Sequence, residues 1–367
     1  MEITVTKGEF YQKLRLVGRI VQPSKINAAT EQFLFEAGEV LTVTGTNMEG
    51  LIKATIQVVE REPGEVKFVA DAKTLLDALA ELPEQPLVIN VLKNKMVVQY
   101  HNGTFEVAAG NGEAYPVMNM DGEQKTINIE KKFIVEGIHQ VIGCAGTSEL
   151  RPILCGVYME QKAGVLSFVS TDSSVLAVRE WPLESEDEFG ICIPVKAAKL
   201  LTNLLAVCDE RVDVLITPKN ISIISETYTF VYRLVDGRFP NYRNLIPVNQ
   251  LEVKAVHSDL VSAFKRVSVF SNRASFLVSM ELKQNELNIQ AQDIDFQVSG
   301  EETLECDYTG SNFKIGFNAT NFINLISSID SDECSLYLSD PSRATVIKPV
   351  GVEGITLLIM PLLINNN

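Results

Sequence analysis

The chain has 367 residues, of which 46% are hydrophobic, and its formal net charge is -15. A single core is unusual at this length, so two or three domains are expected. The charge has the wrong sign for a protein that coats itself in nucleic acid, and no apolar run approaches the roughly 18 residues of a membrane span. The opening sequence, MEITVTKGEF, lacks a basic segment followed by an apolar core, so we expect a cytoplasmic protein without a signal peptide.

The first third of the chain predicts a helix, strands, a second helix and more strands. Apolar residues at helical spacing predict the first helix over Lys7–Val21. Gly38–Gly50 has a polar turn next to alternating apolar residues, which is typical of strands. Val66–Pro83 predicts a strand that leads into an amphipathic helix at Asp71, and Pro86–Tyr100 predicts short strands.

The same order of elements returns twice. The opening helix returns at Lys131–Cys144 and His257–Phe270, and the strand-and-turn pattern at Gly164–Val178 and Asn285–Gln297. The strand that leads into a helix returns at Ile191–Val207 and Phe313–Ile329, with the step at Pro194 and Asn318. The short strands return at Val212–Glu226 and Cys334–Pro349. The spacing of roughly 120 residues is the size of a domain. We therefore predict an α+β chain of three repeated domains, 1–124, 125–248 and 249–367.

Signs of catalysis or metal binding are few. The six cysteines lie far apart without a CxxC pair, and we expect buried free thiols: Cys144, Cys155, Cys192, Cys208, Cys306 and Cys334. The histidines His101, His139 and His257 show no paired spacing. The sequence has no GxGxxG, Walker, HExxH or GxSxG motif, which removes the usual grounds for proposing an enzyme.

Positive charge concentrates on the predicted helices of this acidic chain. The residues concerned are Lys7, Lys13, Arg15, Arg19, Lys131, Lys132, Lys196, Lys199, Lys265 and Arg266, with Arg273 just after. For any single helix, an ordinary solvated face is the better interpretation. Four helices with the same bias favour one basic surface, with acidic residues elsewhere.

Several segments, in one order and at one spacing, resemble the sliding-clamp family, the beta subunits of bacterial DNA polymerase III. They are Arg151–Val157 (RPILCGV), Thr171-Asp172 through Leu176-Ala177, Asp236–Tyr242 (DGRFPNY), Phe270–Arg273 (FSNR), Phe313–Asn318 (FKIGFN) and Met360-Pro361. The resemblance covers essentially the whole chain. No one segment carries it alone.

The resemblance implies a ring and a non-enzymatic role. Each third is then a clamp domain with two helices inside and sheets outside, and two chains close head to tail around duplex DNA. Basic inner helices contact phosphates without reading bases, and an acidic exterior disfavours sticking. The implied partners are double-stranded DNA, a second copy of the chain, the DNA polymerase III alpha subunit, the clamp loader and other proteins with a clamp-binding motif. No cofactor, metal or membrane is expected.

The family's functional positions carry over as three groups of residues. The partner-peptide pocket matches Leu154, Thr171, Ser173, Ser174, Val175, Leu176, Pro240, Asn244, Leu245, Ala344, Leu358, Met360 and Pro361. The ring contact matches Phe105 and Val107 on a strand of the first domain, and Val269 and Phe270 at the end of a helix of the third. The DNA contacts match Arg19, Lys25, Lys196, Lys199, Lys265 and Arg273. Core packing is the alternative for each apolar pocket residue taken singly.

The sequence departs from the family at two places. At the pocket turn, where the family commonly has a glycine and two basic residues, this chain has Ser173, Ser174 and Val175. We therefore expect little gain from acidic groups on a bound peptide, unless a basic residue such as Arg343 takes over. The segment Ser24–Thr30 is poorer in arginine than its family counterpart, which leaves open whether this is the main clamp of its cell or a diverged copy.

Two other classes of protein remain as alternatives. One is a β-rich hydrolase with an unrecognised nucleophile, such as a cysteine paired with His139 or His257. The other is an acidic oligomeric scaffold, which predicts no bias of basic residues toward the helices. The threefold repeat favours the clamp, because an enzyme needs one asymmetric site and no His/Cys/Asp constellation interrupts the repeat.

Overall fold

The computed structural model describes residues 1–24, 27–116, 118, 122–183 and 187–364. Its elements recur three times in one order, which confirms the predicted repeat. The first copy consists of β1 (Glu2–Thr6), α1 (Lys7–Gly18), β2 (Gln32–Ala37), β3 (Leu41–Thr46), β4 (Gly50–Ile56), β5 (Glu60–Arg61), β6 (Val66–Asp71), α2 (Ala72–Ala80), β7 (Pro86–Val91), β8 (Lys95–Tyr100) and β9 (Gly103–Asn111).

The second and third copies follow the same plan. The second consists of β10 (Lys125–Glu130), α3 (Lys131–Val141), β11 (Gly156–Lys162), β12 (Val165–Thr171), β13 (Val175–Pro182), β14 (Phe189–Pro194), α4 (Val195–Leu205), β15 (Arg211–Ile216), β16 (Asn220–Ile224) and β17 (Tyr228–Arg233). The third consists of β18 (Leu251–Val256), α5 (His257–Ser268), β19 (Leu277–Lys283), β20 (Glu286–Asp293), β21 (Val298–Glu305), β22 (Phe313–Asn318), α6 (Ala319–Ile326), β23 (Glu333–Leu338), β24 (Thr345–Pro349) and β25 (Ile355–Ile359).

The chain packs as two compact units, each built on antiparallel sheets. The first unit comprises Met1–Lys131 and Lys199–Leu234, and its strands form one sheet in the order β10-β15-β16-β17-β4-β3-β2-β6-β9-β8-β7-β1-β5. The second comprises Lys132–Ala198 and Val235–Asn367. Its strands form one sheet in the order β14-β11-β12-β13-β25-β24-β23-β18 and another in the order β21-β20-β19-β22.

Two of these sheets continue from one repeat into the next. In the first unit β4 pairs with β17, and Gly50 lies opposite Tyr232. In the second unit β13 pairs with β25, and Val175 lies opposite Ile359. Because strands of different repeats share backbone hydrogen bonds, the compact units do not coincide with the repeats. The boundaries expected at 124/125 and 248/249 stay predictions.

The opening helices bury the apolar residues that their spacing predicted. On α1 these are Phe10, Leu14 and Val17, and the Phe10 ring stacks on Phe35 with the ring centroids 6.0 Å apart. The helix ends at Gly18 rather than at Val21. A proline at position 23 disfavours helical backbone at the residue before it, which helps to explain the early end.

Side chains cap two of the helices at the predicted strand-to-helix step. The Asp71 carboxylate accepts a hydrogen bond from the Thr74 backbone N–H at 2.7 Å, and Asn318 accepts one from the Asn321 N–H at 3.0 Å. Such a cap is worth about 1 kcal/mol. Pro194 ends β14 at the corresponding step before α4, where it has no side chain that could accept such a bond.

The third repeat has an aromatic core between its two helices. Phe264 of α5 stacks on Phe322 of α6 with the ring centroids 3.9 Å apart, and Phe322 also lies against Phe317. The helix ends at Ser268, two residues before the predicted end. Phe270 therefore lies beyond the helix, and 38% of it is exposed.

All six cysteines are free thiols, as expected, but only half of them are buried. Cys144, Cys192 and Cys334 are buried, whereas Cys155, Cys208 and Cys306 are partly exposed. No helix of the described residues is long and apolar enough to cross a membrane. Within the same residues, no group of three or more His, Cys, Asp or Glu side chains is arranged to hold a metal ion.

Candidate functional site

The turn between β12 and β13 is fixed by its own polar side chains. The Thr171 hydroxyl donates to the Val175 carbonyl, and the Asp172 carboxylate accepts from the backbone N–H groups of Ser174 at 2.7 Å and Val175 at 2.9 Å. Short polar side chains of this kind favour tight turns because they satisfy backbone donors locally. The turn holds Ser173 at a φ of 85° with its side chain exposed.

An apolar cluster lies beside this turn. Leu176 pairs across the strands with Leu358, and both pack with Leu154 and Ala344 in one buried cluster. Phe239 and Tyr242 complete it, and the Tyr158 ring stacks on Phe239 at 4.5 Å. The predicted pocket residues on these strands therefore lie together in the second unit as an apolar floor.

The remaining pocket residues form the rim of this floor. Pro240, Asn244, Leu245 and Met360 are exposed, with 56% of Leu245 and 43% of Met360 accessible to solvent. The Met360 N–H donates to the Ser174 carbonyl at 2.8 Å, which attaches the rim to the turn, and Pro361 is half-buried next to it. Exposed large apolar side chains around a buried apolar floor are typical of a groove that receives a peptide.

A polar network beneath the groove holds Tyr242 in place. Its hydroxyl donates to Glu160 at 3.3 Å, and the Arg243 guanidinium lies 4.6 Å from its ring centre. Arg243 also pairs with Glu160 and, at 3.7 Å, with Glu180. Burial raises the pKa of Tyr242, so the phenol stays neutral in the physiological range. The segment DGRFPNY was one of those that carry the family resemblance, but Phe239 and Tyr242 were not predicted as parts of the apolar floor.

The basic group at the turn is Arg151, which was not among the predicted pocket residues. Its guanidinium donates to the Ser173 hydroxyl at 2.7 Å. Arg343, named above as the alternative source of positive charge, is exposed near Asp340. The pKa of the Asp340 carboxyl is lowered mainly by hydrogen bonds from Ser342 and to a smaller extent by the charge of Arg343. An open cavity of about 280 Å³ adjoins Arg151, lined by Ala145, Gly146, Thr147, Ser148, Leu154, Cys155 and Asp172. Val175 is buried and faces inward.

The first pair of predicted ring-contact residues lies on a strand with an open edge. β9 pairs with β8 from Gly103 to Ala108 on one side, but with β6 on the other side only from Ala109 onward. Within the described chain, the second edge of β9 is therefore unpaired around Phe105 and Val107. Val107 is buried and Phe105 is partly exposed.

The second pair lies next to another open edge. Val269 is 76% exposed, and the Phe270 ring lies over Gly300 of β21, so close that a Cβ at Gly300 would lie 2.4 Å from a ring carbon. A glycine is therefore required at this position for the ring to lie there. β21 forms the edge of its sheet, and its outer side has no partner strand among the described residues. An open edge is a template for pairing with another strand.

Most of the predicted DNA contacts are exposed. Lys196 and Lys199 lie on α4, Lys265 lies on α5, and Arg273 follows α5 with its guanidinium 5.7 Å from the Phe296 ring centre. The Arg19 guanidinium donates to the Asn203 carbonyl at 2.7 Å, and Lys25 lies outside the described residues. Within the described part of the chain, no carboxylate lies within 4 Å of the three lysines or of Arg273.

The three buried cysteines do not have the properties of catalytic nucleophiles. Burial raises the pKa of Cys144, Cys192 and Cys334 to about 12, so these thiols stay protonated near neutral pH. His257 bonds to the Ile326 carbonyl at 2.9 Å, and His139 is exposed. Among the described residues, neither histidine is hydrogen-bonded to a cysteine, which argues against the hydrolase.

Comparisons with known proteins agree along the whole chain. Residues 1–120, 128–241 and 243–363 match the N-terminal, central and C-terminal domain models of the DNA polymerase III beta subunit. The beta sliding clamp of Pseudomonas putida is 26% identical over 99% of this chain and 100% of its own length. The beta sliding clamp of Escherichia coli K12 is also 26% identical, over 88% of each chain.

Solved structures share the fold. A sliding clamp from Pseudomonas aeruginosa, bound to griselimycin, has a TM-score of 0.93 at 24% identity and covers 99% of this chain and 100% of its own. A DNA polymerase III beta subunit from Thermotoga maritima has a TM-score of 0.90 at 22% identity, with 99% of both chains covered. The predicted three-domain clamp architecture is confirmed.

The thiols offer a direct check on the non-catalytic interpretation. With a pKa of about 12, a thiol is roughly one part in ten thousand thiolate at pH 8, and reactivity rises as the pH approaches the pKa. We expect Cys144, Cys192 and Cys334 to resist iodoacetamide at pH 8 while the partly exposed cysteines react, as measured by peptide mass spectrometry. The denatured chain, in which all six are labelled, is the control. Fast labelling of a buried cysteine in the native protein would contradict the assignment.

Proposed function

Because this chain belongs to the DNA polymerase III beta subunit family, and is thus a non-catalytic sliding clamp of DNA replication, we propose that two copies close head to tail around duplex DNA. The ring tethers the polymerase alpha subunit and other partners to the template and is loaded by a clamp loader. It acts in the cytoplasm, on the chromosome. One observation carries the proposal. β9 and β21 each have an unpaired edge among the described residues, and the corresponding strands of the other repeats are paired with each other, β17 with β4 and β25 with β13.

The internal repeat supports the ring contact. β9, β17 and β25 are the last strands of the three repeats, and β4, β13 and β21 each follow the same hairpin. Within the two units, β17 is paired with β4 and β25 with β13. The two strands left over are β9 and β21. In a head-to-tail ring they pair with each other across the subunit boundary, which gives every repeat the same kind of neighbour.

The two closed pairs also predict the register of the third. Gly50 and Val175, the first residues of β4 and β13, lie opposite Tyr232 and Ile359. The corresponding first residue of β21 is Val298, and the residue of β9 that corresponds to Tyr232 and Ile359 is Val107. In this register Gly300 faces Phe105 of the partner subunit. Phe270, which lies over Gly300, then packs against the partner's Phe105.

The distribution of charge supports the proposal that the ring holds DNA by encircling it rather than by binding it tightly. The exposed lysines of α4 and α5 lie close to no carboxylate within the described residues, so they are available to phosphates. Such contacts carry no sequence information, and their strength depends on the release of counterions. The net charge of -15 opposes adhesion of DNA to the rest of the surface. A clamp of this kind slides because no single contact fixes it.

The apolar groove supports the proposal that partner proteins bind the clamp through a short peptide segment. Leu176 and Leu358 form its floor, and the exposed Leu245 and Met360 lie at its rim. Large apolar side chains of a peptide would be desolvated there and supply most of the binding energy, and a glutamine would bond to polar groups of the turn. Arg151 is exposed, so an acidic group on the peptide gains at most about 1 kcal/mol from it.

The ring contact can be tested by cross-linking. In the inferred register Gln297 lies opposite Ala108 of the partner subunit, and facing residues lie within reach of a disulfide. We expect the Gln297→Cys, Ala108→Cys double variant to form a covalent dimer under mild oxidation, seen on a non-reducing gel. The matched control is Gln297→Cys with Thr104→Cys, which is four residues out of register. Equal yields from the two variants would contradict the register.

Removal of the Phe270 ring should weaken the dimer. Loss of a buried interface aromatic costs about 2 kcal/mol, or roughly thirtyfold in Kd. We expect Phe270→Ala to dissociate at a correspondingly higher protein concentration in analytical ultracentrifugation, while Val248→Ala, also an exposed apolar position, behaves like wild type. A Phe270→Ala dimer as tight as wild type would count against this contact.

The DNA contact can be tested through its salt dependence. Neutralising Lys199 and Lys265 together with glutamine should weaken binding to unrelated duplexes equally and reduce the slope of log K against log salt by about 2. Lys348→Gln, an exposed strand position, should leave the slope unchanged. The slope is obtained from binding constants measured by fluorescence anisotropy over a series of salt concentrations. A loss confined to one DNA sequence would indicate base recognition and refute sliding contacts.

The groove can be tested with paired peptides that differ by one acidic residue. We expect Met360→Ala to abolish binding of both peptides in calorimetry while the dimer stays intact. The acidic peptide should bind wild type slightly better at low salt, by up to roughly fivefold. Arg151→Ala should remove this preference and Arg343→Ala should keep it. A preference that disappears only in Arg343→Ala would show that the basic group is assigned to the wrong residue.

A further inference from the structure

The first unit contains a second groove, beside the turn between β3 and β4. This turn is fixed as the turn of the peptide groove is, since the Thr46 hydroxyl donates to the Gly50 carbonyl at 2.7 Å and the Asn47 side-chain oxygen accepts from the Gly50 N–H at 2.8 Å. Met48 has a φ of 73° where Ser173 has 85°. The turn therefore presents Met48 at the position that Ser173 holds in the peptide groove.

The strands beneath the turn are also paired alike. Leu51 of β4 lies opposite Val231 of β17, and both side chains are buried. The corresponding pair in the peptide groove is Leu176 and Leu358, which are likewise buried and form its floor. The first unit thus repeats both the turn and the strand pair from which the peptide groove is built, as expected for equivalent places in repeated domains.

An open cavity of about 270 Å³ adjoins the turn of the second groove. Among the described residues, its apolar wall consists of Met48, Pro116 and Met118. Met48 is 44% exposed, and the Asn27 side-chain amide donates to its sulfur at 3.3 Å. Methionine is flexible and polarisable, and it adapts to apolar groups of different shape. The wall can therefore receive an apolar side chain of a bound segment.

The rim of the second groove differs from that of the peptide groove in its charge. The Met360 N–H donates to the Ser174 carbonyl, and at the corresponding place the Arg233 N–H donates to the Glu49 carbonyl, both at 2.8 Å. Arg233 thus stands where the peptide groove has an exposed methionine. A guanidinium presents paired N–H donors that match a carboxylate, whereas methionine offers only apolar contact. This position therefore favours an acidic side chain over an apolar one.

Lys219 adds a second positive charge beside Arg233. It precedes Asn220, the residue of β16 that lies opposite Arg233 in β17, and both cations line the cavity. Both are exposed, and within the described part of the chain no carboxylate lies within 4 Å of either. Glu49, the acidic residue of the turn, accepts a hydrogen bond from the Tyr232 hydroxyl at 2.9 Å. The two cations are therefore available to a ligand that carries carboxylates.

We propose that the second groove binds a short acidic segment of a partner protein, an inference that rests on the peptide groove proposed above. Carboxylates of the segment pair with Arg233 and Lys219, and one apolar side chain lies against Met48. Contacts to nucleic acid phosphates need no apolar wall, whereas a peptide uses the wall and the cations together. The clamp then distinguishes two kinds of partner segment, an apolar one in the peptide groove and an acidic one in the second groove.

The net charge of -15 makes the acidic segment a demanding probe, because the chain as a whole repels it and only a local basic site can bind it. The probe is a fluorescein-labelled peptide, Gly-Glu-Asp-Leu-Glu-Gly, and its control carries glutamine and asparagine in place of the acidic residues. Binding to the full chain is measured by fluorescence anisotropy at low salt. We expect wild type to prefer the acidic peptide.

Matched variants locate the site. We expect Lys219→Gln/Arg233→Gln to bind the acidic peptide about tenfold more weakly than wild type. Lys93→Gln, an exposed position on the turn between β7 and β8, should match wild type. Reversal of the charge adds a test that does not depend on a loss, because Lys219→Glu/Arg233→Glu should prefer a peptide with lysine in place of the acidic residues.

Three results would overturn the proposal. They are equal binding of the acidic and neutral peptides by wild type, acidic binding that Lys219→Gln/Arg233→Gln leaves unchanged, and tighter binding of a single-stranded oligonucleotide of equal charge to the same two cations. The last result would assign the site to nucleic acid. Failure of the peptide groove itself looks different, because Met360→Ala would then leave binding of the apolar peptide unchanged.

Discussion

Antiparallel strand pairing between repeats is the interaction on which this structure depends. A strand edge exposes backbone donors and acceptors that must be paired, hydrated or shielded. β4 pairs with β17, and β13 pairs with β25. The corresponding edges of β9 and β21 have no partner strand among the described residues. Because the open edges of β9 and β21 are of the two kinds that pair elsewhere in the chain, the simplest partner for each is the other edge on a second copy of the chain. The proposed ring is the closed form of that association.

One hairpin turn recurs in all three repeats, and a few polar side chains fix its backbone each time. A threonine hydroxyl and an Asn or Asp side chain satisfy the backbone of the first two turns, and Asp293 does so in the third. Because the backbone is held by a few polar groups, the remaining positions are free to vary. In the second turn Ser173 accepts a hydrogen bond from Arg151 at the rim of the proposed peptide groove, whereas the third turn exposes Ile294 and Phe296.

The sequence predicted the elements well because apolar periodicity and capping residues are local signals. It was less accurate at the ends of helices, where Phe270 was expected inside α5 and in fact lies beyond it, over Gly300. The floor of the groove followed from the resemblance, but Arg151 did not. Its hydrogen bond to Ser173 joins residues 22 positions apart, and no local pattern reveals which of several arginines will reach the turn.

The interpretation also explains an acidic chain that acts on DNA. In the proposed ring, phosphates are contacted by exposed helix residues such as Lys199 and Lys265, and retention comes from closure of the ring rather than from the strength of these contacts. The most direct test is to load the protein onto nicked circular DNA with a clamp loader and then linearise the circle. We predict retention on the circle and release from the freed ends at a salt concentration that removes ordinary electrostatic binding. Equal retention on circular and linear DNA would contradict a ring that holds DNA by topology.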